Sequence, residues 1–203
     1  SGAGFASMFT FPAWQKAYSN YADEEAFIAK YPFVDYQFDM FSQMMIGMSE
    51  SGLFTGRHSS VGARSLLGVC QQIAQDLQER PIASFDQFYD GIAAMLKSDV
   101  KENLHRAQAN SLTSDPFTIS VLKALLLARY VKDFPCAPSN LVVLLRRDLG
   151  QDATALEARV KRSLDALVGQ YFVQKLPEGT YTYMTDEEKE VKQQIGRMPV
   201  SEG

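Results

Sequence analysis

Residues 116–183 read PFTISVLKALLLARYVKDFPCAPSNLVVLLRRDLGQDATALEARVKRSLDALVGQYFVQKLPEGTYTY, and this stretch decides the fold. In three successive segments its apolar residues recur at the three- and four-residue spacing that is typical of helices. The first predicted helix covers Phe117–Phe134, and the second covers Asn140–Leu149 with Ser139 as its N-cap. The third begins after Asp152, and its predicted inward residues are Leu156, Val160, Leu164, Leu167 and Val168.

A β-hairpin is predicted directly after the third helix. The runs Tyr171–Leu176 and Thr180–Met184 are rich in aromatic and β-branched residues, which favours strands. Pro177-Glu178-Gly179 lies between them and supplies residues that tight turns prefer. Three helices followed by a hairpin is the element order of a winged helix-turn-helix module. In this architecture the third helix typically enters the major groove of DNA, and the wing contacts the backbone.

The residues before this module also predict helices, at 22–31, 34–51, 60–80, 85–96 and 100–112. Ser114-Asp115-Pro116 is the strongest boundary signal, because a polar turn there precedes a long apolar helix. We therefore predict a mainly α chain, with a helical bundle at residues 8–115 and a winged helix with a C-terminal helix at residues 116–196. Residues 1–7 are compatible with a cloning remnant and are excluded from the fold prediction.

Composition predicts a soluble globular protein. The 203 residues are 46% hydrophobic and 22% charged, which argues against wholesale disorder. No apolar run approaches the roughly 18 residues that span a bilayer, so we expect no membrane partner. Cys70 and Cys136 lie in apolar sequence surroundings, which is typical of proteins from a reducing compartment, and the predicted location is the cytoplasm.

The sequence contains no recognisable catalytic or metal-binding motif. Gly47 and Gly52 have the glycine spacing of a phosphate-binding loop, but Leu53 follows in place of the required lysine. The two histidines, His58 and His105, lie far apart in the chain and match no zinc-binding spacing. We therefore predict no catalytic residue, no metal and no cofactor in this chain.

Positive charge is concentrated in the predicted winged helix. Residues 116–183 hold nine Lys and Arg against six Asp and Glu, whereas residues 1–115 hold eight against thirteen. The predicted DNA-contact residues, on the third helix and the wing, are Arg159, Lys161, Arg162 and Lys175. An alternative prediction pairs Lys161 with Glu157 and Arg162 with Asp165 on the helix surface, which would leave fewer charges for a nucleic acid.

Three strings of the sequence carry a family resemblance. They are YPFVDYQF at 31–38, GRHSSVGARS at 56–65 and YTYMTDEEKEV at 181–191. In this order they resemble the large P-loop protein of bacterial BREX phage-defence systems, the BrxC/PglY type, and the resemblance extends from about Ala22 to Ile195. Proteins of that type are very large AAA+-like ATPases. The chain resembles the part after the nucleotide-binding core, a helical lid followed by a winged helix.

The resemblance implies that this chain is an excised part of a longer ATPase. ATP and Mg²⁺ would bind the P-loop of the parent protein, a motif that this sequence lacks. In AAA+ lids an arginine near the start of a helix often reaches the γ-phosphate, and the resemblance assigns this nucleotide-sensing role to Arg64. The implied partners are double-stranded DNA, other BREX subunits or a second copy of the chain.

A second hypothesis makes the chain a protein–protein interaction module that assembles defence-complex subunits without touching nucleic acid. Methionine and aromatic side chains suit protein partners. Under this hypothesis the winged helix and a stripe formed by Phe38, Phe41 and Met45 dock other subunits, although the helical spacing of the stripe also predicts core packing. A free-standing transcription regulator is a third hypothesis, which the resemblance to an internal segment of a longer protein disfavours.

Overall fold

The computed structural model describes residues 2–14, 18, 24–56, 63–77 and 81–198. The helices are α1 (Gly2–Met8), α2 (Glu24–Lys30), α3 (Asp35–Glu50), α4 (Ala63–Asp76), α5 (Gln87–Ile92), α6 (Ser98–Ala109), α7 (Pro116–Arg129), α8 (Pro138–Leu145), α9 (Ala153–Gly169) and α10 (Asp186–Arg197). A 3-10 turn at Ala93–Met95 follows α5, and strands β1 (Val173–Lys175) and β2 (Tyr181–Tyr183) form one antiparallel hairpin. The prediction of a mainly α chain with a small hairpin is therefore confirmed. Within the described ranges, no helix combines the length and apolar character that a bilayer crossing requires.

Helix α7 is the central element and contacts α3, α5, α6, α8, α9 and β2. Its start agrees with the prediction, because Asp115 Oδ2 accepts a hydrogen bond from the Thr118 amide at 3.1 Å and Pro116 occupies the first turn. Its predicted end at Phe134 is wrong. The helix ends at Arg129, and Asp133 adopts a φ of 60°, which a right-handed helix does not tolerate.

Helix α8 begins and ends earlier than predicted. Pro138 occupies its first turn, where the missing amide would have no helical partner, and Ala137 holds the N-cap position predicted for Ser139. Arg146 adopts extended backbone, and its guanidinium donates to the Gln151 carbonyl at 2.8 Å. The chain therefore leaves the helix at Leu145, and residues 146–149 belong to the connection to α9.

Helix α9 and the hairpin follow the predicted pattern. The Asp152 carboxylate caps α9 by accepting from the Thr154 amide at 3.0 Å. Val173 lies opposite Tyr183 in the hairpin, and Gly179 in the turn has a φ of 86°, a conformation that favours glycine. Val168 is partly buried, and the other predicted inward residues are buried: Leu156, Val160, Leu164 and Leu167.

One hydrophobic core contains residues from both sides of the predicted boundary at Ser114-Asp115-Pro116. The Phe85 amide donates to the Leu144 carbonyl at 2.8 Å, and the Tyr36 hydroxyl donates to the Val143 carbonyl at 3.3 Å. These hydrogen bonds join the first half of the chain to α8. The division into units at 8–115 and 116–196 stays a prediction.

The first residues take part in the fold, contrary to their exclusion from the fold prediction. Gly2–Met8 forms α1, and the centroid of the Phe5 ring lies 5.3 Å from that of Phe9 and 4.6 Å from that of Phe27. Phe9 is itself buried. The stretch that resembles a cloning remnant in composition therefore packs aromatic side chains against the core.

The methionine and aromatic stripe of α3 is part of the core. Phe41 and Met45 are 2% and 4% exposed, and the Phe41 ring lies 5.2 Å from the Phe88 ring. Phe38 is partly buried and contacts Phe33. The hypothesis that Phe38, Phe41 and Met45 dock partner subunits is therefore wrong, because other parts of the chain already cover most of this surface.

The two free thiols differ in accessibility, and this difference can be measured. Burial raises the pKa of Cys136 to about 12, whereas Cys70 is only partly buried, although burial raises its pKa as well. With Ellman's reagent at pH 8, we expect one thiol per chain to react in the native protein and both to react in denaturant. Cys70→Ser should abolish the native reaction. Two readily reacting thiols in the native protein would contradict the burial of Cys136.

Candidate nucleic-acid interface

The exposed face of α9 results from the periodicity that buries its other side. Leu156, Val160 and Leu164 are buried where α9 packs against α7 and α8, so the residues half a turn away face solvent. Along the centre of the exposed face lie short side chains and one carboxylate: Thr154, Ala155, Ala158 and Asp165. Arg162 lies on this centre as well, and the other two cations of α9, Arg159 and Lys161, lie on its two flanks.

Arg159 lies on the flank of α9 that faces α7. Its guanidinium carbon is 4.1 Å from the centroid of the Phe117 ring, which is a cation–π contact. No carboxylate among the described residues forms an ion pair with it. Stacking occupies the face of a guanidinium and leaves its N–H edges available, so Arg159 is suited to donate to a phosphate oxygen.

Lys161 and Lys175 lie on the flank of α9 next to the hairpin. Lys161 projects roughly 160° around the helix from Arg159, because the two residues are two positions apart in the sequence. Its ammonium donates to Glu157 Oε1 at 2.7 Å, and this hydrogen bond and the charge of Glu157 raise the pKa of Lys161. Lys175 Nζ, on β1, lies 5.9 Å from the centroid of the Tyr181 ring, and Tyr181 also contributes to the raised pKa of Lys161.

Arg162 is exposed, and no carboxylate among the described residues comes within 4.0 Å of its guanidinium. It lies between the two flanks of the α9 face. The predicted pairing of Arg162 with Asp165 is therefore wrong. The predicted Glu157–Lys161 ion pair is confirmed by the 2.7 Å contact between the two side chains. Arg162 keeps its charge available to a ligand.

The other cations of residues 116–183 are largely engaged elsewhere. Their ion pairs are Lys123–Asp90 at 2.7 Å, Arg129–Glu188 at 2.6 Å and Arg147–Asp86 at 2.9 Å. Arg146 is 6% exposed. The three carboxylates come from outside the segment, so they reduce its positive excess. Among the described residues, the exposed and unpaired cations of the segment are Lys132, Arg159, Arg162 and Lys175.

Arg129 is a positioning residue that sequence reasoning missed. Its guanidinium donates to both carboxylate oxygens of Glu188, at 2.8 and 2.6 Å, and to the Tyr183 carbonyl. The hydrogen bonds between the two side chains lower the pKa of Glu188 and raise the pKa of Arg129. These hydrogen bonds of Arg129 hold the end of the hairpin and the start of α10 against α7. Because 59 residues separate the partners, no local pattern indicates the pair.

A cleft of about 450 Å³ next to α5, α6 and α7 is lined by charged side chains. Its two described cations, Lys123 and Arg147, already pair with Asp90 and Asp86. Arg147 also donates to Ser120 Oγ at 2.8 Å. Both cations of the cleft are therefore neutralised by its own carboxylates, so α9 and the hairpin are the better candidates for an anionic ligand.

The remaining predicted positions lie partly outside the described residues. Arg64 is the second residue of α4, near a helix start as the nucleotide-sensing prediction requires, but its side chain lies outside the description. His58 lies outside it entirely. In the described part of the chain, no group of three or more His, Cys, Asp or Glu side chains could hold a metal ion. The role of Arg64 stays a prediction.

No protein-family model matches the chain, and no solved structure gives a significant match. Function is therefore inferred from the geometry of the described residues together with the three strings that carry the resemblance.

Proposed function

We propose that residues 116–196 form a winged helix that contacts the phosphate backbone of double-stranded DNA weakly and without sequence preference. The distribution of available cations carries the proposal, because Arg159, Arg162 and Lys175 are exposed, form no ion pair with a described residue, and lie on α9 or the hairpin. In winged helices the third helix and the hairpin are the elements that meet a duplex. Lys161 is a weaker candidate, since Glu157 holds its ammonium.

Contact with phosphates is favoured over reading of bases. Helix α9 contains no Asn or Gln, the side chains that bind adenine with two hydrogen bonds. The short side chains at the centre of its exposed face, such as Ala155 and Ala158, allow close approach to a groove but specify no base. Asp165 on the same face repels phosphate, and the net charge of the chain is −4, so both limit the affinity.

In the wider setting that the resemblance implies, the chain is a non-catalytic regulatory segment of an anti-phage AAA+-like ATPase in the cytoplasm. The parent protein binds ATP and Mg²⁺ at its P-loop. Arg64 then senses the nucleotide from the start of α4, while α9 and the hairpin contact DNA. The chain thereby couples nucleotide state to DNA contact.

Binding of a duplex is expected to be weak and salt-dependent. With about three phosphates neutralised, the slope of log affinity against log salt concentration should be near −3, and the dissociation constant on the order of 10⁻⁴ M at physiological salt. Arg159→Ala combined with Arg162→Ala should bring the slope to about −1, because each lost contact removes about one. Fluorescence anisotropy of a labelled duplex, titrated at about 20 to 200 mM salt, measures both quantities.

Lys97→Ala provides a matched control for these titrations. Lys97 is an exposed cation at the start of α6, is part of neither α9 nor the hairpin, and forms no ion pair with a described residue. Its removal should leave the salt slope near −3. An unchanged slope in the double variant, or an equal loss in Lys97→Ala, would place the contact elsewhere. Absence of binding even at about 20 mM salt would reject the DNA proposal.

A protein–protein interaction module is the second candidate, and one observation favours it. Val191 and Ile195 on α10 and Met198 at its C-cap are exposed apolar side chains that recur at helical spacing. Contiguous exposed apolar surface often marks a site of protein contact. Under this candidate the chain assembles subunits through α10 and touches no nucleic acid.

A further inference from the structure

Helix α10 exposes its apolar residues and directs its polar side toward the molecule. Val191, Ile195 and Met198 are 56%, 64% and 70% exposed. On the opposite side, Lys189 Nζ lies 3.8 Å from the centroid of the Phe172 ring, and Gln193 is partly buried. A surface helix of a globular protein normally has the reverse orientation, with its apolar stripe against the core. The stripe Val191/Ile195/Met198 is therefore a surface that the described residues of the chain leave uncovered.

The polar contacts of the first turn fix this orientation. Thr185 and Glu188 form a capping box, and Arg129 binds Glu188 with two hydrogen bonds. The Asp186 carboxylate pairs with Arg106 on α6 at 3.1 Å. Rotation of α10 to bury the stripe would break these contacts, so the ion pairs of the chain itself hold the stripe outward.

Charge is segregated along the same helix. Its first five residues contain Asp186, Glu187, Glu188 and Glu190, and its second half contains Lys192 and Arg197. By helical geometry, Glu187, Glu190 and Arg197 lie on one flank of the stripe. None of these three forms an ion pair within the described part of the chain. This flank is therefore acidic at one end, basic at the other and free to pair with a partner.

The charge pattern selects one partner arrangement. In an antiparallel helix pair each flank meets the same flank of the other helix, so Glu190 of one copy approaches Arg197 of the other when the stripes pack together. The helix macrodipoles also favour this direction. In a parallel pair the two acidic first turns would lie side by side and repel. The acidic end of the flank therefore meets the basic end of the same flank in the second copy only when the two helices are antiparallel.

We propose that α10 docks antiparallel against α10 of a second copy of this chain, about a two-fold axis. The stripes Val191/Ile195/Met198 pack together, and the flanking Glu190–Arg197 pairs set the direction. Three apolar residues per copy bury much less than the roughly 800 Å² per partner of a stable interface, so the dimer is weak and reversible. The interface uses none of the DNA-contact residues Arg159, Arg162 and Lys175, so either proposal can fail without the other.

Sedimentation velocity of the full chain, from about 10 μM to 1 mM, tests for the dimer over the range expected for a small interface. The apparent mass should rise with concentration from 22.7 kDa toward twice that value. Ile195→Asp should weaken association at least about tenfold, because it places a charge in the packed stripe. Ile46→Asp is the control, since Ile46 is 60% exposed on α3 and should leave the association unchanged.

A charge exchange tests the direction of the helices. Glu190→Arg and Arg197→Glu should each weaken the dimer by roughly 3- to 10-fold, and the double variant should associate more tightly than either single variant. Circular dichroism checks that the helix content of each variant equals that of the wild type. A monomer at all concentrations, or a dimer insensitive to Ile195→Asp, overturns the proposal. A double variant as weak as the single ones overturns the antiparallel arrangement.

Discussion

Replacing Gly47 by alanine is expected to lower the free energy of unfolding by about 3 kcal/mol or more, despite the higher helix propensity of alanine. A Cβ atom at this position of α3 would lie 2.1 Å from the Tyr130 carbonyl oxygen and 3.1 Å from the carbonyl carbon. Both are backbone atoms at the end of α7, so no side-chain rotation relieves the clash. Urea denaturation followed by circular dichroism measures the loss.

Gly68→Ala is the matched control for this substitution. Gly68 also lies within a helix, α4, but a Cβ atom there would meet nothing within 4 Å. Alanine should therefore raise the free energy of unfolding by about 0.5 to 1 kcal/mol, the usual gain from replacing a helical glycine. Equal effects of the two substitutions would mean that α3 and α7 do not approach each other as closely as described.

Leu164→Ala is expected to cost roughly 2 to 5 kcal/mol of unfolding free energy, because it leaves a cavity under α9. The Leu164 side chain is 0% exposed. Leu112, which is 66% exposed, gives the control, and Leu112→Ala should change stability by less than about 0.5 kcal/mol. A similarly small change at Leu164 would mean that the register of α9 is wrong. The positions of Arg159 and Arg162 on its exposed face would then be wrong as well.

Local sequence signals were sufficient to predict α9 and the hairpin. The spacing of Leu156, Val160 and Leu164 identifies the buried side of α9, and Asp152 caps it as an N-terminal acid should. Gly179 supplies the positive φ that the hairpin turn uses. In these elements the residues that determine the conformation are close in sequence, which is why prediction and structure agree.

Contacts between distant residues could not be predicted in the same way. The Arg129–Glu188 and Arg147–Asp86 pairs join residues 59 and 61 positions apart, so no periodicity indicates them. They reduce the positive charge that residues 116–183 can offer to DNA, because Arg129 and Arg147 pair with carboxylates from outside this segment. The end of α7 was missed for a related reason. Its apolar pattern continues past Arg129, but the chain turns at Asp133 to reach α8.

The shared core affects how the DNA proposal is tested. Removal of residues 1–115 would delete Phe85, which donates its amide to Leu144, and Asp86, which neutralises Arg147. The remaining residues would expose apolar surface and leave Arg147 without its carboxylate. Extra cationic charge would then attract DNA for reasons unrelated to α9. Substitutions in the full chain are therefore the cleaner test.

Amide chemical-shift mapping of the ¹⁵N-labelled full chain with a short duplex at low salt tests the central proposal most directly. We expect shifts that concentrate at Arg159, Arg162 and Lys175 and their neighbours on α9 and the hairpin, and that are reversed by added salt. The α3 and α10 amides should stay unchanged. Shifts confined to elements other than α9 and the hairpin, or no shifts at about 20 mM salt, would contradict it.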